Sequence, residues 1–127
     1  MGRTGWRIAW PLVLALLASA GAAHAQGDPA KGEKVFNKCK ICHVLDEPTN
    51  RLGPYLVGVL GRKAGTAEGF RYSDALKQSG VVWDDETLAS YLADPKAYIP
   101  GNRMIFPGLK TEEEIQDLLA FLHAESE

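Results

Sequence analysis

Two cysteines and a histidine lie within five residues, in the run Cys39-Lys40-Ile41-Cys42-His43. Thiols three residues apart project from one turn of helix, and the histidine follows them directly. Cys-x-x-Cys-His is the signature at which haem is attached covalently. Each thiol forms a thioether with one of the two vinyl groups on one side of the porphyrin, and the imidazole ligates the iron. Because the chain has no further cysteine, we expect one covalently attached haem c per chain.

Three other chemistries use paired cysteines. A zinc site needs four ligands, and His123 is the only further histidine beyond the N-terminal segment. A thioredoxin-like redox pair lies between a strand and a helix, whereas the surrounding pattern has hardly any strand character. A disulfide would suit an exported chain, but the loop that it would close between Cys39 and Cys42 is so short that it would stabilise the fold little. Haem attachment is the interpretation that the sequence favours.

The first 25 residues have the pattern of a secretory signal. Arg3 and Arg7 precede an apolar run over residues 8–23, and Ala23-His24-Ala25 places small residues where a signal peptidase reads. The 16-residue run is shorter than the roughly 20 residues of a membrane-spanning helix. We therefore expect residues 1–25 to be a signal peptide that is cleaved after Ala25. The alternative is an uncleaved N-terminal anchor.

Residues 26–127 are expected to form a single domain, because about a hundred residues bury only one small core. The charge of the whole chain is nearly balanced, with 14 Lys and Arg against 16 Asp and Glu. A chain with that balance lacks the positive field of a general nucleic-acid binder. We therefore expect no nucleic-acid partner.

The pattern after the signal is helical, with long loops. Four residues of N-cap type precede runs with helical spacing: Asp28, Ser73, Asp84 and Thr111. The helix after Ser73 is expected to stop at Gly80, and the next to close before Pro95. The sequence Thr111-Glu112-Glu113-Glu114 has the pattern of a capping box. These signals predict an all-α protein.

The stretch from Val44 to Gly69 contains seven glycines and prolines and predicts loops and turns. Loops longer than about 12–15 residues are uncommon in compact domains unless something orders them. This stretch therefore suggests a cofactor around which the chain is wrapped, independently of the cysteine motif.

Haem iron has two axial positions, so a second ligand is expected besides His43. Met104 is the only methionine after the signal segment, and it lies in a loop between Pro100-Gly101 and Pro107-Gly108. His123 is the rival ligand, although a histidine near the end of a helix more often interacts with the helix terminus. Ligation by histidine and methionine raises the reduction potential and leaves no open position for oxygen or peroxide chemistry.

From Gly27 to about Leu122 the chain resembles class I cytochromes c, in particular the mitochondrial and short soluble alphaproteobacterial type. The motifs that carry the resemblance are Phe36-x-x-Cys39-x-x-Cys42-His43, Gly53-Pro54, Gly61-Arg62-x-x-Gly65, Gly69-Phe70-x-Tyr72-Ser73, Trp83 and Pro100-Gly101-x-x-Met104-x-Phe106. The resemblance implies the all-α cytochrome c fold, in which three to four short helices and long loops surround the haem. It also implies that the first and last helices cross near Gly32, Phe36 and residues 118–122.

The resemblance further implies roles for individual residues. His43 and Met104 would be the axial ligands, and the Pro54 carbonyl would accept a hydrogen bond from the second ring nitrogen of His43. Tyr91 would lie beside the Met104 sulfur. Four residues would donate hydrogen bonds to the haem propionates: Arg62, Tyr72, Trp83 and Asn102. Two residues depart from the family pattern, because Leu76 replaces a frequent asparagine and Pro107 replaces a small residue.

The function implied is one-electron transport in the periplasm by a monomer that is not an enzyme. The donor would be a cytochrome bc complex or a periplasmic dehydrogenase, and the acceptor a protein such as a terminal oxidase. By resemblance, four basic residues surround the haem edge and would dock these partners: Lys38, Lys96, Arg103 and Lys110. The alternative for this surface is a solvated charged face without orientation. The alternative function is a haem peroxidase or a ligand-sensing haem module from which Met104 dissociates readily.

Overall fold

The computed structural model describes residues 1–2, 5 and 27–126. The apolar run of the expected signal peptide and the cleavage site after Ala25 lie outside the described residues. Within them the chain forms five helices and no strand. The helices are α1 (Pro29–Phe36), α2 (Asp74–Gln78), α3 (Asp85–Ala93), α4 (Pro95–Tyr98) and α5 (Glu112–Glu125). In this part of the chain no helix has both the length and the apolar character needed to cross a bilayer.

The four expected helix starts are confirmed, because each N-cap side chain accepts a hydrogen bond from an amide that the helix leaves free. The Asp28 carboxylate accepts from the amide of Ala30 at 2.9 Å. In the same way, the side chain of Ser73 accepts from the Leu76 amide, that of Asp84 from the Thr87 amide, and that of Thr111 from the Glu114 amide. Short polar side chains at these positions therefore decide where the helices begin.

The one-turn helix α4 was not expected, because Pro95 was interpreted only as the end of the preceding helix. Proline is also favoured at the first position of a helix, since the amide it lacks has no partner there. The Asp94 carboxylate accepts from the amide of Ala97 at 3.1 Å and completes the cap. Pro95 thus both ends α3 and begins α4.

The capping box expected at the start of α5 is only half formed. Thr111 accepts from the Glu114 amide, but the Glu114 carboxylate does not return to Thr111. It contacts Lys38 Nζ at 2.6 Å and accepts from the Lys110 amide at 3.2 Å. Glu114 therefore links α5 to the segment that follows α1. The reciprocal pair of bonds forms instead at the start of α3, between Asp84 and Thr87.

The core is built on the crossing of α1 with α5, as the resemblance implies. Gly32 lies against the backbone of Asp117, so the two helices approach closely at this point. The rings of Phe36 and Phe121 pack beside it, with centroids 5.4 Å apart. Asp117 is buried, and its carboxylate accepts from the Asp28 amide at 2.7 Å, which ties the start of α1 to the middle of α5.

The long loop over residues 44–69 is held at both ends by backbone hydrogen bonds. In its first half, the Gly53 amide donates to the carbonyl of Cys42 in the cysteine motif. Near its end, the amides of Gly61 and Ala64 donate to the carbonyls of Trp83 and Val81. The loop is thereby fixed to the cysteine motif on one side and to the residues that precede α3 on the other.

Candidate haem site

The cysteine motif lies on hydrogen-bonded turns that continue the course of α1 beyond Phe36. The amides of Cys42 and His43 both donate to the Cys39 carbonyl at 3.0 Å. The two half-buried thiols are therefore presented from one turn, and neither forms a disulfide. Burial, opposed by the charge of Lys38, raises the pKa of Cys39 to about 11.

The imidazole of His43 has a fixed orientation and a defined tautomer. Its Nδ1 lies 2.7 Å from the Pro54 carbonyl oxygen, and a carbonyl can only accept, so Nδ1 carries the proton. Burial lowers the pKa of His43, although the Pro54 hydrogen bond opposes this effect. The neutral ring then presents the lone pair of Nε2, the atom that can bind a metal.

Gly53 provides the space in which that imidazole lies. A Cβ atom at position 53 would fall 2.6 Å from His43 Nδ1 and 2.9 Å from Nε2, well inside van der Waals contact. The Gly53 amide also donates to the Cys42 carbonyl at 2.9 Å. Gly53 belongs to the motif Gly53-Pro54, and its position directly before Pro54 is the only sequence signal for this role.

We predict that Gly53→Ala displaces the His43 ring, because the added methyl group and the imidazole need the same space. The expected result is a loss of stability of about 1–3 kcal/mol, the usual cost of overpacking, together with a disturbed optical spectrum of the haem-loaded protein. Urea unfolding and absorption spectra measure both. Thr49→Ala, at an exposed position in the same loop, is the control. An unchanged spectrum and stability in Gly53→Ala would contradict the prediction.

Met104 is held in place by its backbone and by a tyrosine. Its amide donates to Asn102 Oδ1 at 3.0 Å, and the Tyr91 hydroxyl donates to its sulfur at 3.9 Å. Tyr91 is buried, and burial raises its pKa to about 12, so the hydroxyl keeps its proton. The structure thus brings Tyr91 and Met104 together as the resemblance implies.

Asn102 makes contacts other than those the resemblance implies. Its Nδ2 donates to the carbonyl oxygens of Pro95 at 2.7 Å and Ile99 at 2.8 Å. Both of these acceptors are backbone carbonyls. The donation of a hydrogen bond from Asn102 to a haem propionate stays a prediction. Asn102 connects the end of α4 to the loop that carries Met104.

The other three expected propionate donors lie in or around the loop over residues 44–69. Arg62 donates from Nη2 to the Tyr55 carbonyl at 2.9 Å and from Nη1 to the Val57 carbonyl at 3.1 Å. Tyr72 is buried, and its hydroxyl accepts from the Ala67 amide at 3.0 Å. Trp83 is buried with its ring centroid 4.9 Å from that of Tyr91.

The four basic residues expected around the haem edge differ in their surroundings. Lys38 forms a surface ion pair with Glu114 at 2.6 Å. Lys110 is exposed, and its amide is bonded to the same carboxylate. Lys96 is exposed on α4, and Arg103 is exposed next to Met104 in the chain. The docking role of these four residues stays a prediction.

The donor atoms at this site fit haem c. One neutral imidazole with a fixed tautomer, one thioether and two neighbouring thiols are the groups that a covalently attached haem requires. They do not fit zinc, because in the described residues no three His, Cys, Asp or Glu side chains lie close enough to hold a metal ion together. The site and the all-helical fold together define a c-type haem protein.

Comparison with known proteins supports the assignment to the c-type haem proteins. The family model of cytochrome c matches residues 29–125, and the chain belongs to the cytochrome c family. Cytochrome c2 of Rhodomicrobium vannielii is 50% identical over 113 residues, which cover 87% of this chain and 90% of the relative. Cytochrome c-554 of Methylosinus trichosporium is 46% identical over 110 residues, which cover 86% of this chain and 83% of the relative.

A solved structure agrees as well. Cytochrome cH from Methylobacterium extorquens superposes with a TM-score of 0.73 at 47% identity, covering 77% of this chain and 99% of that chain. The expected fold is confirmed, and the protein is an electron carrier with covalently bound haem c rather than an enzyme. The peroxidase and ligand-sensing alternatives are not favoured.

Proposed function

We propose that the protein is a periplasmic one-electron carrier in which His43 and Met104 are the axial ligands of haem c. The observation that carries the proposal is the pair of oriented donors. The Pro54 carbonyl fixes His43 with Nε2 unprotonated, and Asn102 together with Tyr91 holds the Met104 thioether. Cys39 and Met104 pack against the same hydrophobic core.

The bound haem supplies an iron that accepts and releases one electron, and the chain provides everything that tunes and encloses it. Cys39 and Cys42 would tether the group, and His43 and Met104 would ligate its iron. With two protein ligands on the iron, small molecules would have no ready access, and a change of charge would require little rearrangement. A neutral thioether also favours the reduced state, which raises the potential.

We further propose that Arg62, Tyr72 and Trp83 donate hydrogen bonds to the haem propionates. Arg62 carries five N–H donors, and its contacts to Tyr55 and Val57 leave some of them free. The Tyr72 hydroxyl accepts from the Ala67 amide and so retains its own proton for donation. Asn102, which also positions Met104 by accepting from its amide, is proposed as the fourth donor to the propionates.

The proposed location and partners rest on the sequence and on the relatives. Residues 1–25 have the pattern of a cleaved signal peptide, which would place the monomer in the periplasm. Relatives named cytochrome c2 support an electron carrier. We propose a cytochrome bc complex or a periplasmic dehydrogenase as donor, and a terminal oxidase as acceptor.

The test is a potentiometric titration of the purified haem-loaded protein, followed by optical spectra. We expect one reversible one-electron wave, low-spin spectra in both states and a sulfur-to-iron charge-transfer band in the oxidised state. Mass spectrometry of the purified chain should show one haem and an N-terminus at Gln26. High-spin spectra, or binding of carbon monoxide by the resting reduced protein, would refute ligation by His43 and Met104.

A further inference from the structure

Two packed tyrosine rings lead from the Met104 sulfur to the protein surface. The Tyr91 hydroxyl donates to that sulfur at 3.9 Å, and the ring of Tyr91 meets the ring of Tyr98 edge to face, with centroids 6.3 Å apart. Tyr91 is buried, whereas Tyr98 on α4 is 37% exposed. Tyr91 and Tyr98, called the aromatic path below, therefore connect the candidate haem site to solvent.

The phenol of Tyr98 differs from the other tyrosines in its surroundings. All four tyrosines lie in the described part of the chain, and Tyr98 is the only exposed one. The other three have hydroxyls that hydrogen-bond to protein groups: Tyr55, Tyr72 and Tyr91. Within residues 27–126 the Tyr98 hydroxyl makes no such bond, so it faces solvent. Ring packing alone needs no hydroxyl, as the core pair Phe36 and Phe121 shows.

The two tyrosines of the path differ in how readily they can be oxidised. A phenol that loses an electron becomes a strong acid, so its oxidation requires a base that takes the proton. Water can take it from the exposed hydroxyl of Tyr98. Burial raises the pKa of Tyr91 to about 12, and the hydroxyl of Tyr91 contacts only a weakly basic thioether. The ring of Tyr91 therefore conducts an electron while the phenol of Tyr98 is the group that is oxidised.

We propose that Tyr98 is a site of reversible one-electron oxidation, and that an electron from the haem restores it through the ring of Tyr91. The proposal rests on the proposed function, because the path begins at Met104 as an axial ligand. The oxidant is a small inorganic radical, which takes one electron from Tyr98 and becomes an anion while the phenolic proton passes to water. One electron from the reduced haem and one proton from water then restore the phenol.

The activity that follows is the removal of radical oxidants at the surface. In sum, one radical becomes its anion and the haem loses one electron, which the electron-carrier function replaces. Oxidants that reach Met104 convert its thioether to a polar sulfoxide. Interception at Tyr98 therefore spares the axial ligand.

The test is pulse radiolysis of the reduced, haem-loaded protein in azide solution. The pulse produces the azide radical, which removes one electron from phenols and indoles, and absorption then follows the oxidation of the haem. We expect a first phase that accelerates with protein concentration, because the radical meets the protein by diffusion. A second phase should have a rate constant independent of protein concentration, because the electron then passes within one molecule.

Substitutions at Tyr98 separate redox chemistry from packing. Tyr98→Phe keeps the ring but removes the oxidisable phenol, so the second phase should be lost. Tyr98→Trp should restore it, because an indole is also oxidised by one electron. Tyr55→Phe is the matched control outside the aromatic path and should keep the phase. A second phase of unchanged amplitude in Tyr98→Phe, or its loss from both Tyr98 variants, would overturn the proposal.

Mass spectrometry locates the radical without reference to the haem spectrum. In the oxidised protein no electron is available to restore the phenol, so Tyr98 radicals should couple into covalent dimers joined through Tyr98. The reduced protein should form almost none. Dimers joined through Tyr55 in place of Tyr98 would contradict the assignment.

Optical spectra taken before the pulse distinguish the two possible failures. If the wild type lacks low-spin spectra and the sulfur-to-iron charge-transfer band, the axial ligation of the proposed function fails. If these spectra are normal and the second phase is missing, only the aromatic path fails.

Discussion

Replacing Met104 by alanine is expected to lower the reduction potential by on the order of 100 mV or more. Axial ligands set haem potentials over a span of roughly 0.8 V, and the thioether is the ligand that favours the reduced state. The substitution should also abolish the sulfur charge-transfer band and let the reduced protein bind carbon monoxide. Potentiometric titration with optical detection measures all three effects on one sample.

Ile105→Ala is the matched control for this prediction, because Ile105 is the next residue and fully exposed. Its potential and spectra should equal those of the wild type. The rival ligand His123 lies on α5, where its Nε2 is 2.7 Å from Asp85 Oδ1 at the start of α3. If His123→Ala, and not Met104→Ala, changed the spectrum and the potential, the assignment of Met104 would be wrong.

The features that were predictable from the sequence are those set by neighbouring residues. Asp28, Ser73, Asp84 and Thr111 each cap a helix that begins at the next residue, because an N-cap acts on amides two or three positions away. The cysteine motif is likewise local, because its two thiols and its imidazole lie within five consecutive residues. Local chemistry of this kind leaves a pattern that can be read without the fold.

The features that escaped prediction depend on contacts between distant residues. Glu114 has the spacing for a capping box, yet it contacts Lys38, which is 76 residues away along the chain. Asn102 has the pattern of a polar loop residue, and only the fold places its amide against the carbonyls of Pro95 and Ile99. The competition between local and distant partners is decided by packing, which the sequence pattern does not contain.

The contact between Gly32 and α5 yields the second large prediction, which concerns stability rather than the haem. In an exposed helix, replacing glycine by alanine stabilises by about 1 kcal/mol, because alanine has the higher helix propensity. At position 32 the added Cβ would lie 2.6 Å from the Asp117 carbonyl carbon and 2.7 Å from Phe121 Cβ. The nearest atoms belong to the backbone of α5, so no side-chain rotation relieves the clash.

We therefore expect Gly32→Ala to destabilise the protein by about 3 kcal/mol net, the upper part of the usual range for overpacked cores. For a domain of this size that corresponds to a fall in Tm of roughly 12–24 °C. Glu33→Ala, an exposed neighbour in the same helix, should change stability by less than about 0.5 kcal/mol. Thermal unfolding of the haem-loaded variants measures both. A Gly32→Ala variant as stable as the wild type would mean that α1 and α5 do not approach as closely as the structure places them, and that the crossing does not hold the two ends of the domain together.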